Sequence, residues 1–369
     1  MTEIIYLVAG ARPNFMKIAP LIHEFMKNNI KFNLIHTGQH YDYNMSKIFF
    51  EELGIPEPNI YLNVGSSSHA VQTAKIMIEF EKVLLHTTPQ LVIVVGDVNS
   101  TIACALVAKK LNIKIAHVEA GLRSFDQKMP EEINRILTDQ LSDFLFTTEK
   151  SAEFNLKREG IDSNKIHFVG NIMIDNLLNN LRKVNKLNVL SKFNLKKKKY
   201  ALITAHRPSN VDTKENLEKI IEIINYLQEK LMVFFPIHPR TRKNIEKFNL
   251  MKKIKKNNLF LSKPIGYLEF LNLMENSRMI LTDSGGIQEE ASFLNIPILT
   301  LRKNTERPIT VEKGTNTIIG LDFLKARGQI EKIISNKYKK GQPIENWDGK
   351  TAERIVNILK KILDLEKYK

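Results

Sequence analysis

The chain has 369 residues, a length that usually divides into two domains, and its 43% hydrophobic and 26% charged content is typical of a folded globular protein. No apolar run is long enough to span a bilayer and no signal-peptide pattern opens the chain, which predicts a cytoplasmic protein without a membrane partner. The net charge of +15 is spread over lysine clusters without interleaved aromatic residues, so it favours an anionic small substrate over nucleic acid.

Short β-rich runs alternate with helical patterns along the first part of the chain. The first strand is predicted over residues 3–9, and Pro13 is well placed to open a helix that reaches about Asn28. Four more strands are predicted, at 32–36, 91–95, 113–118 and 144–147. Continuous apolar strands separated by helices indicate a parallel sheet covered on both faces, whose ligands bind beyond the carboxyl ends of the strands.

Polar residues follow the predicted strands at that edge. They are Arg12 and Lys17 after the first strand, Gln39 and His40 after the second, Asp97 after the third, and Glu119 and Arg123 after the fourth. Each has an ordinary structural explanation, since Asp97 could cap the helix near Ser100 and Arg123 could pair with Asp126. Their convergence at one edge favours a ligand site.

A second α/β series begins at residue 200. Strands are predicted at 200–204, 231–235, 259–261 and 278–281, and their ends carry His206 and Arg207, then His238, then a Ser-Gly-Gly turn. We place the domain boundary near Gly170, which gives domains 1–170 and 171–349. The helical pattern near the C-terminus is expected to join the first domain, over about 350–369.

The segment Ile280–Ala291 predicts an anion site. Asp283 and Ser284 are good N-cap residues, and Gly285 and Gly286 let the backbone approach a ligand closely. The free N–H groups of a helix N-terminus suit a diphosphate, and Glu290 lies one turn further on. The simpler interpretation is that Ser-Gly-Gly is only a tight strand-to-helix turn.

A further carboxylate occurs where Pro130 opens a helix. Glu131 then lies in the first helical turn and Arg135 one turn later. Glu131 could also serve structurally, as an acid that complements the helix dipole, and Glu132 fits that role at least as well.

Several common motifs are absent from the sequence. It contains no G-x-G-x-x-G dinucleotide fingerprint, no P-loop, no H-E-x-x-H zinc motif and no G-x-S-x-G elbow. Its single cysteine, Cys104, lies in an apolar helical pattern. We therefore expect no nucleotide cofactor and no metal.

Taken together, these motifs resemble those of the non-hydrolysing UDP-N-acetylglucosamine 2-epimerase family over nearly the whole length. The segments that carry the resemblance are 10–13 with Lys17, 37–40, 96–97, 117–123, 130–135, 205–207, 238–239, 283–290 and 305–308. It implies two Rossmann-like domains facing across a cleft, as in glycosyltransferase-B folds, in a homodimer. It also implies elimination of UDP to 2-acetamidoglucal and its re-addition, with inversion at C2.

The resemblance also implies roles for individual residues. Asp97, Glu119 and Glu131 correspond to acid/base candidates, and His206 and Lys17 line the same site. The positions expected to bind UDP are Arg12, His238, Ser284, Gly285, Gly286 and Glu290. Candidate second-site or sugar contacts are Gln39, His40, Arg123, Arg135, Arg207 and Arg307.

Residues 41–45 depart from the pattern of several bacterial members, which have an arginine soon after the Gln-His pair in a region linked to activation by substrate. The Tyr-Asp-x-x-Met form found here also resembles relatives that epimerise UDP-2,3-diacetamido-uronic acids. The motifs are also compatible with a hydrolysing epimerase, a glycosyltransferase or a non-catalytic nucleotide-sugar sensor. The cluster of three acids argues against a glycosyltransferase.

Overall fold

The computed structural model describes residues 2–38 and 50–363. The chain forms two compact units, one of Met1–Asn179 with Glu345–Lys369 and the other of Asn180–Ile344. Each unit is built on a parallel β-sheet with helices in its connections, which confirms the predicted α/β class with two Rossmann-like domains. Among the described residues, no helix combines the length and apolar character needed to cross a bilayer.

The sheet of the first unit has seven strands in the order β3-β2-β1-β4-β5-β6-β7, and all neighbours are parallel. The strands are β1 Thr2–Ala9, β2 Phe32–His36, β3 Ile60–Tyr61, β4 Pro89–Val95, β5 Lys114–Ala120, β6 Phe144–Thr147 and β7 Ile166–Phe168. Its helices are Arg12–Lys27, His69–His86, Asn99–Lys110, Pro130–Leu141, Lys150–Arg158, Ile172–Val184 and Thr351–Ile362, with a 3-10 turn at Ser163–Lys165.

The sheet of the second unit has six parallel strands in the order β10-β9-β8-β11-β12-β13. The strands are β8 Tyr200–Thr204, β9 Met232–Pro236, β10 Leu259–Ser262, β11 Met279–Thr282, β12 Ile298–Thr300 and β13 Asn316–Ile318. Its helices are Val189–Lys192, Pro208–Val211, Lys214–Gln228, Pro239–Lys247, Tyr267–Asn276, Gly285–Phe293, Ile309–Glu312 and Phe323–Ile334, with a 3-10 turn at Leu250–Lys253.

Burial explains why these strands read as continuous apolar runs. Residues 91–95 are at most 1% exposed, because helices cover both faces of the central strand β4. In the second unit Ile203, Phe235 and Leu281 join helix residues in one buried cluster. The strand ends of both sheets therefore project from a packed core.

The two units divide inside the helix Ile172–Val184, whereas the sequence placed the boundary after Gly170. The beginning of this helix is tied to the returning C-terminal segment. Asp175 Oδ2 accepts a hydrogen bond of 2.8 Å from the backbone N–H of Ala352, where the helix Thr351–Ile362 starts. That helix packs against Arg12–Lys27 in the first unit.

Candidate active site

Glu119 occupies an unusual backbone position at the end of β5. Its φ is +76°, a left-handed conformation that costs a residue with a side chain about 1–2 kcal/mol. The register with β6 shifts here, because Val118 pairs with Phe146 and Ala120 with Thr147. Glu119 is thus the extra residue of a β-bulge, a device that re-aims a side chain and is common beside active sites.

The carboxylate of Glu119 forms a buried ion pair with Lys17. Oε2 of Glu119 accepts from Nζ of Lys17, and the two side chains are 3% and 9% exposed. Gly96, after β4, leaves room for the pair, since a Cβ there would lie 2.8 Å from the lysine Nζ. The structure therefore brings together two residues that lie 102 positions apart and that the sequence placed in one site.

Asp97 directly follows Gly96 in the sequence and is held by side chains of the helix Pro130–Leu141. Its Oδ2 accepts from Nη2 of Arg135 at 2.5 Å, and its backbone carbonyl accepts from the Asn134 side chain at 2.9 Å. The Asp97 side chain is 25% exposed. It is not the helix cap considered from sequence, because Val98 is the N-cap residue of the helix Asn99–Lys110.

The neighbouring acids Glu131 and Glu132 have different environments. Glu132 is buried, and its carboxylate accepts hydrogen bonds from the backbone N–H groups of Ser124 and Phe125 and pairs with Arg135. Glu131 is half-buried in the first turn of the helix. Glu132 thus organises the loop after β5, which leaves Glu131 as the acid of this segment with a candidate chemical role.

Arg123 is enclosed by acids of its own unit. Its Nη2 lies 2.7 Å from Asp139 and 2.6 Å from Glu159, and its side chain is 1% exposed. Arg123 therefore pairs with Asp139 and Glu159, and not with Asp126, the partner considered from sequence. The use of its donors inside the fold favours a structural role over the expected sugar contact.

In the second unit, the turn after β11 differs from the expected capping pattern. Ser284 is the N-cap of the helix Gly285–Phe293, but its side chain makes no capping hydrogen bond, and its backbone N–H donates to Thr282. Asp283 instead accepts from the backbone N–H groups of His206 and Arg207, each at 2.8 Å. Ser284 therefore stands at the expected N-cap position, but neither its side chain nor that of Asp283 makes a capping hydrogen bond.

A buried charge network lies behind this turn. Glu306 pairs with Arg302 at 2.6 Å and with Arg307, whose Nε lies 2.9 Å from Glu289. Burial by itself raises the pKa of Glu306, but the charges of Arg307 and Arg302 outweigh it and hold that pKa well below its ordinary value. Gly285 must lack a side chain, since a Cβ would lie 2.6 Å from Arg307. These contacts favour a structural role for Arg307.

Glu290 is a buried acid of a different kind. It is 2% exposed and accepts a hydrogen bond of 2.7 Å from the hydroxyl of Tyr267. Burial, reinforced by the charge of Glu289, raises its pKa to about 8 although the Tyr267 bond acts in the opposite direction. Burial therefore favours the protonated form of this carboxyl group.

Two histidines stand at the carboxyl ends of β8 and β9. Nδ1 of His206 lies 3.1 Å from Asp283, and the ring centroids of His206 and His238 are 5.5 Å apart. His238 caps the helix Pro239–Lys247 through the N–H of Arg240. Burial, together with the charges of His206 and Arg240, lowers the pKa of His238, which favours its neutral form. Arg207 donates to the Asp283 carbonyl at 2.9 Å.

Three predicted positions fall where the structure gives no side-chain description. Gln39, His40 and the side chain of Arg12 lie outside the described residues. Among residues 2–38 and 50–363, no group of three or more His, Cys, Asp or Glu side chains is arranged to hold a metal ion.

The structure also assigns supporting roles that the sequence patterns did not. Asp139, Glu132, Tyr267 and Glu306 all hold or contact candidate site residues or their neighbours, although none of them directly follows a predicted strand. Helical spacing gives one usable signal, because Glu132, Arg135 and Asp139 repeat at intervals of three and four on one face.

Comparisons with known proteins find similar proteins over almost the whole chain. Residues 23–360 match the family model described as UDP-N-acetylglucosamine 2-epimerase. The chain is 50% identical over 359 residues to a UDP-N-acetylglucosamine 2-epimerase of Methanocaldococcus jannaschii, covering 96% of this chain and 98% of the relative. It is 40% identical to a UDP-2,3-diacetamido-2,3-dideoxy-D-glucuronate 2-epimerase of Pseudomonas aeruginosa, covering 97% and 99%.

A solved structure extends the likeness to the fold. The crystal structure of the M. jannaschii UDP-GlcNAc 2-epimerase, in complex with UDP-GlcNAc and UDP, matches with a TM-score of 0.90 at 49% identity. The match covers 97% of this chain and 99% of that one. The family expected from the motifs is thereby confirmed, and the chain belongs to the UDP-N-acetylglucosamine 2-epimerase family.

Proposed function

We propose that this protein is a non-hydrolysing 2-epimerase that interconverts UDP-N-acetylglucosamine and UDP-N-acetylmannosamine. The observation that carries the proposal is the bulge at Glu119, where a strained backbone aims a buried carboxylate at Lys17. A relative with 50% identity along almost the whole chain has the name UDP-N-acetylglucosamine 2-epimerase, which supports the same substrate.

The chemistry needs a base, an acid and a held leaving group. One carboxylate removes the C2 proton while the C1–O bond breaks, so that UDP leaves with the bonding electrons and a C1=C2 double bond forms. Re-addition of UDP at C1, with protonation of C2 on the opposite face, gives the epimer. We assign Asp97, Glu119 and Glu131 to the proton transfers, with Lys17 fixing Glu119. His206, at the end of β8 in the second unit, is assigned to the same reaction.

The second unit would bind UDP. The N-terminal turn of the helix Gly285–Phe293 offers backbone N–H groups to the diphosphate, and Ser284 and His238 stand at strand ends of the same sheet. Glu290 would accept from the ribose hydroxyls. In the first unit, Arg12 is assigned to the phosphate. Arg135 is assigned to the positioning of Asp97.

Hydrogen exchange at C2 tests the reaction. In D2O, without any added cofactor, the UDP-N-acetylmannosamine formed should carry deuterium at C2, as read by NMR. Product that keeps its original C2 hydrogen would exclude elimination and re-addition.

Amide substitutions test the acids one at a time. Asp97→Asn, Glu119→Gln and Glu131→Gln should each slow turnover by roughly 10²–10⁴-fold, the range for loss of a positioned acid or base, and leave UDP affinity unchanged by calorimetry. Glu24→Gln, which breaks a helix-surface pair with Lys27 in the same unit, is the matched control and should keep normal turnover. Normal rates in all three acid variants would refute the assignment.

Two competing reactions have distinct products or substrates. A hydrolysing epimerase would release free N-acetylmannosamine and UDP, whereas the proposed reaction leaves both nucleotide-sugars intact. The similarity to the P. aeruginosa relative makes UDP-2,3-diacetamido-uronic acid the second substrate to offer. A higher kcat/KM for the UDP-linked uronic acid would mean that the proposed substrate is wrong, whereas the proposed reaction type would stand.

We also propose that the protein is a homodimer. The helix His69–His86 exposes Val71, Ile78 and Leu85, which are spaced by seven residues along one side. Ile78→Lys should therefore weaken association in analytical ultracentrifugation. A monomer in the unsubstituted protein would contradict the proposal.

A further inference from the structure

Asp139 is a buried acid in the first unit with no part in the chemistry described above. It lies on the helix Pro130–Leu141 and its side chain is 0% exposed. Oδ1 accepts from Nδ1 of His117 at 2.6 Å, and Oδ2 accepts from the backbone N–H of Gly121 at 3.1 Å. Arg123 adds a third donor at 2.7 Å. One carboxylate therefore joins three points of the chain around the end of β5.

Two of these points bracket Glu119. His117 precedes it by two residues, and Gly121 follows it by two. Both Glu119 and Gly121 have positive φ values, +76° and +79°, so the segment departs from strand geometry at the bulge. A strained conformation of this kind persists only where the surroundings fix it. Asp139 supplies that constraint because it ties the chain on both sides of Glu119 to a single helix.

The same chain of contacts reaches the partner of Glu119. Nε2 of His117 donates to the carbonyl of Gly96 at 2.8 Å. Gly96 is the residue whose missing side chain leaves space for Lys17 beside the Glu119 carboxylate. Asp139 thus fixes, through the ring of His117, both the strand that carries Glu119 and the turn that accommodates Lys17.

The charge of Asp139 fits this arrangement. Burial alone raises its pKa, but the charges and hydrogen bonds of His117 and Arg123 outweigh burial and lower it. Every one of these partners is a donor, so the ionised carboxylate satisfies all of them. An amide in its place would present an NH2 group to at least one of these donors and would lose that link.

We infer that Asp139 is a positioning residue that acts through His117 and Gly121 to hold Glu119 in its left-handed conformation against Lys17. The inference rests on the proposed function in one respect, namely that Glu119 takes part in proton transfer at C2. The placement itself is a claim about conformation and can be tested without activity.

The first test is Asp139→Asn, with Asp143→Asn as the matched control. Asp143 also joins a side chain and a backbone N–H, Lys109 at 2.7 Å and Ile115 at 3.0 Å, but at the opposite end of β5. We expect Asp139→Asn to lower kcat on the order of 10²-fold, the effect of a small misplacement of a reacting group, with KM and UDP affinity unchanged. Asp143→Asn should leave kcat unchanged even if it lowers the Tm.

A double-mutant cycle shows whether the loss runs through Glu119. In the Glu119→Gln background, Asp139→Asn should cause no further loss in the rate of C2 deuterium exchange, because the group it positions is already absent. Additive losses would overturn the inference. If Asp139→Asn does not fold, His117→Gln, which removes one of the two links, takes its place in the same cycle.

A crystal structure of Asp139→Asn separates the inference from the proposed function. Residue 119 should leave the positive φ region and its contact with Lys17 should be lost. Unchanged geometry at both would overturn the inference whatever the activity. If the unsubstituted protein instead turned over no UDP-sugar while the variant showed the displaced Glu119, the proposed function would fail and the positioning would stand.

Discussion

Two residues of this protein, Glu119 and Glu290, have features that reduce the stability of the folded state. Glu119 accepts a left-handed backbone conformation, and Glu290 is a carboxyl group whose burial raises its pKa even though it contacts Tyr267. Strain and a raised pKa cluster at functional sites because they prepare groups for a ligand. Both residues are among those assigned to the reaction and to UDP.

Glu290→Gln should therefore stabilise the protein and weaken its binding of UDP. The pKa of Glu290 is raised to about 8, so between about pH 4.5 and 8 the unfolded chain releases a proton that the folded chain keeps. Stability of the unsubstituted protein consequently falls as pH rises through that window. Near pH 8 the variant should be more stable by at least about 1 kcal/mol, since each pKa unit corresponds to about 1.4 kcal/mol.

Urea unfolding of both proteins at pH 5 and pH 8 measures this difference. The stability gap should widen towards pH 8, while calorimetry should show UDP bound more weakly by about 1–3 kcal/mol, the range for a polar group that loses its hydrogen-bond partner. A gap that narrows with rising pH would contradict the raised pKa. Unchanged UDP affinity would reject the ribose contact.

At the scale of elements, the helix Pro130–Leu141 organises the candidate acids. Asn134 and Arg135 hold Asp97, Glu132 holds the loop after β5, and Asp139 holds the bulge. In the second unit the segment after β12 has a similar task, because Glu306 and Arg307 pack against Gly285. Each proposed reactive segment is thus supported by a second element that brings buried charges to it.

Glu306→Gln should severely destabilise the second unit. The substitution removes the anion that compensates the buried guanidinium groups of Arg302 and Arg307, and breaking a buried pair in this way costs about 3–5 kcal/mol. Because the pKa of Glu306 lies well below its ordinary value, the ionised carboxylate contributes to the free energy of unfolding at pH values above its unfolded-state pKa. This contribution is lost when the pH falls through the lowered pKa.

The control is Glu229→Gln, which breaks an exposed pair with Lys255 in the same unit. Chemical denaturation at pH 7 should show a large loss for Glu306→Gln and no measurable change for the control. Equal effects of the two variants would mean that the buried network does not support the turn at Gly285.

At the scale of the whole molecule, the chain leaves the first unit in the helix Ile172–Val184 and returns to it at Glu345. The returning segment packs close to the point where the chain leaves the first unit. Gly170 has a φ of +96°, and a Cβ there would lie 2.1 Å from the carbonyl oxygen of Asn346. The C-terminal helix Thr351–Ile362 therefore belongs to the first unit.

A comparison of Gly170→Ala with Gly160→Ala separates the effect of backbone strain from the effect of contact with the returning segment at Asn346. Both glycines have positive φ, but a Cβ at Gly160 meets no atom within 4 Å. Gly160→Ala should cost about 1–2 kcal/mol, the effect of the left-handed conformation alone. Gly170→Ala should cost roughly 2 kcal/mol more, because the new methyl group forces the returning segment away. Equal losses in thermal unfolding would show that the contact with Asn346 contributes nothing.

The sequence by itself determined the fold class, the family and the strand ends that carry the candidate residues. Apolar periodicity and turn residues are local signals, so strands such as β2, β6 and β8 were predicted with their observed bounds. Strands of two or three residues, such as β3, β7, β12 and β13, were not predicted, because so short a run has no readable period.

Only the tertiary structure decided which side chains meet. Lys17 and Glu119 are 102 residues apart, and their ion pair depends on the order of strands in the sheet and on a one-residue bulge. The role of Asp139, the enclosure of Arg123 and the uncapped helix at Ser284 likewise follow from contacts between distant segments. Residue type and local spacing favour a cap or an ion pair, but the partner is chosen by packing, which no local pattern contains.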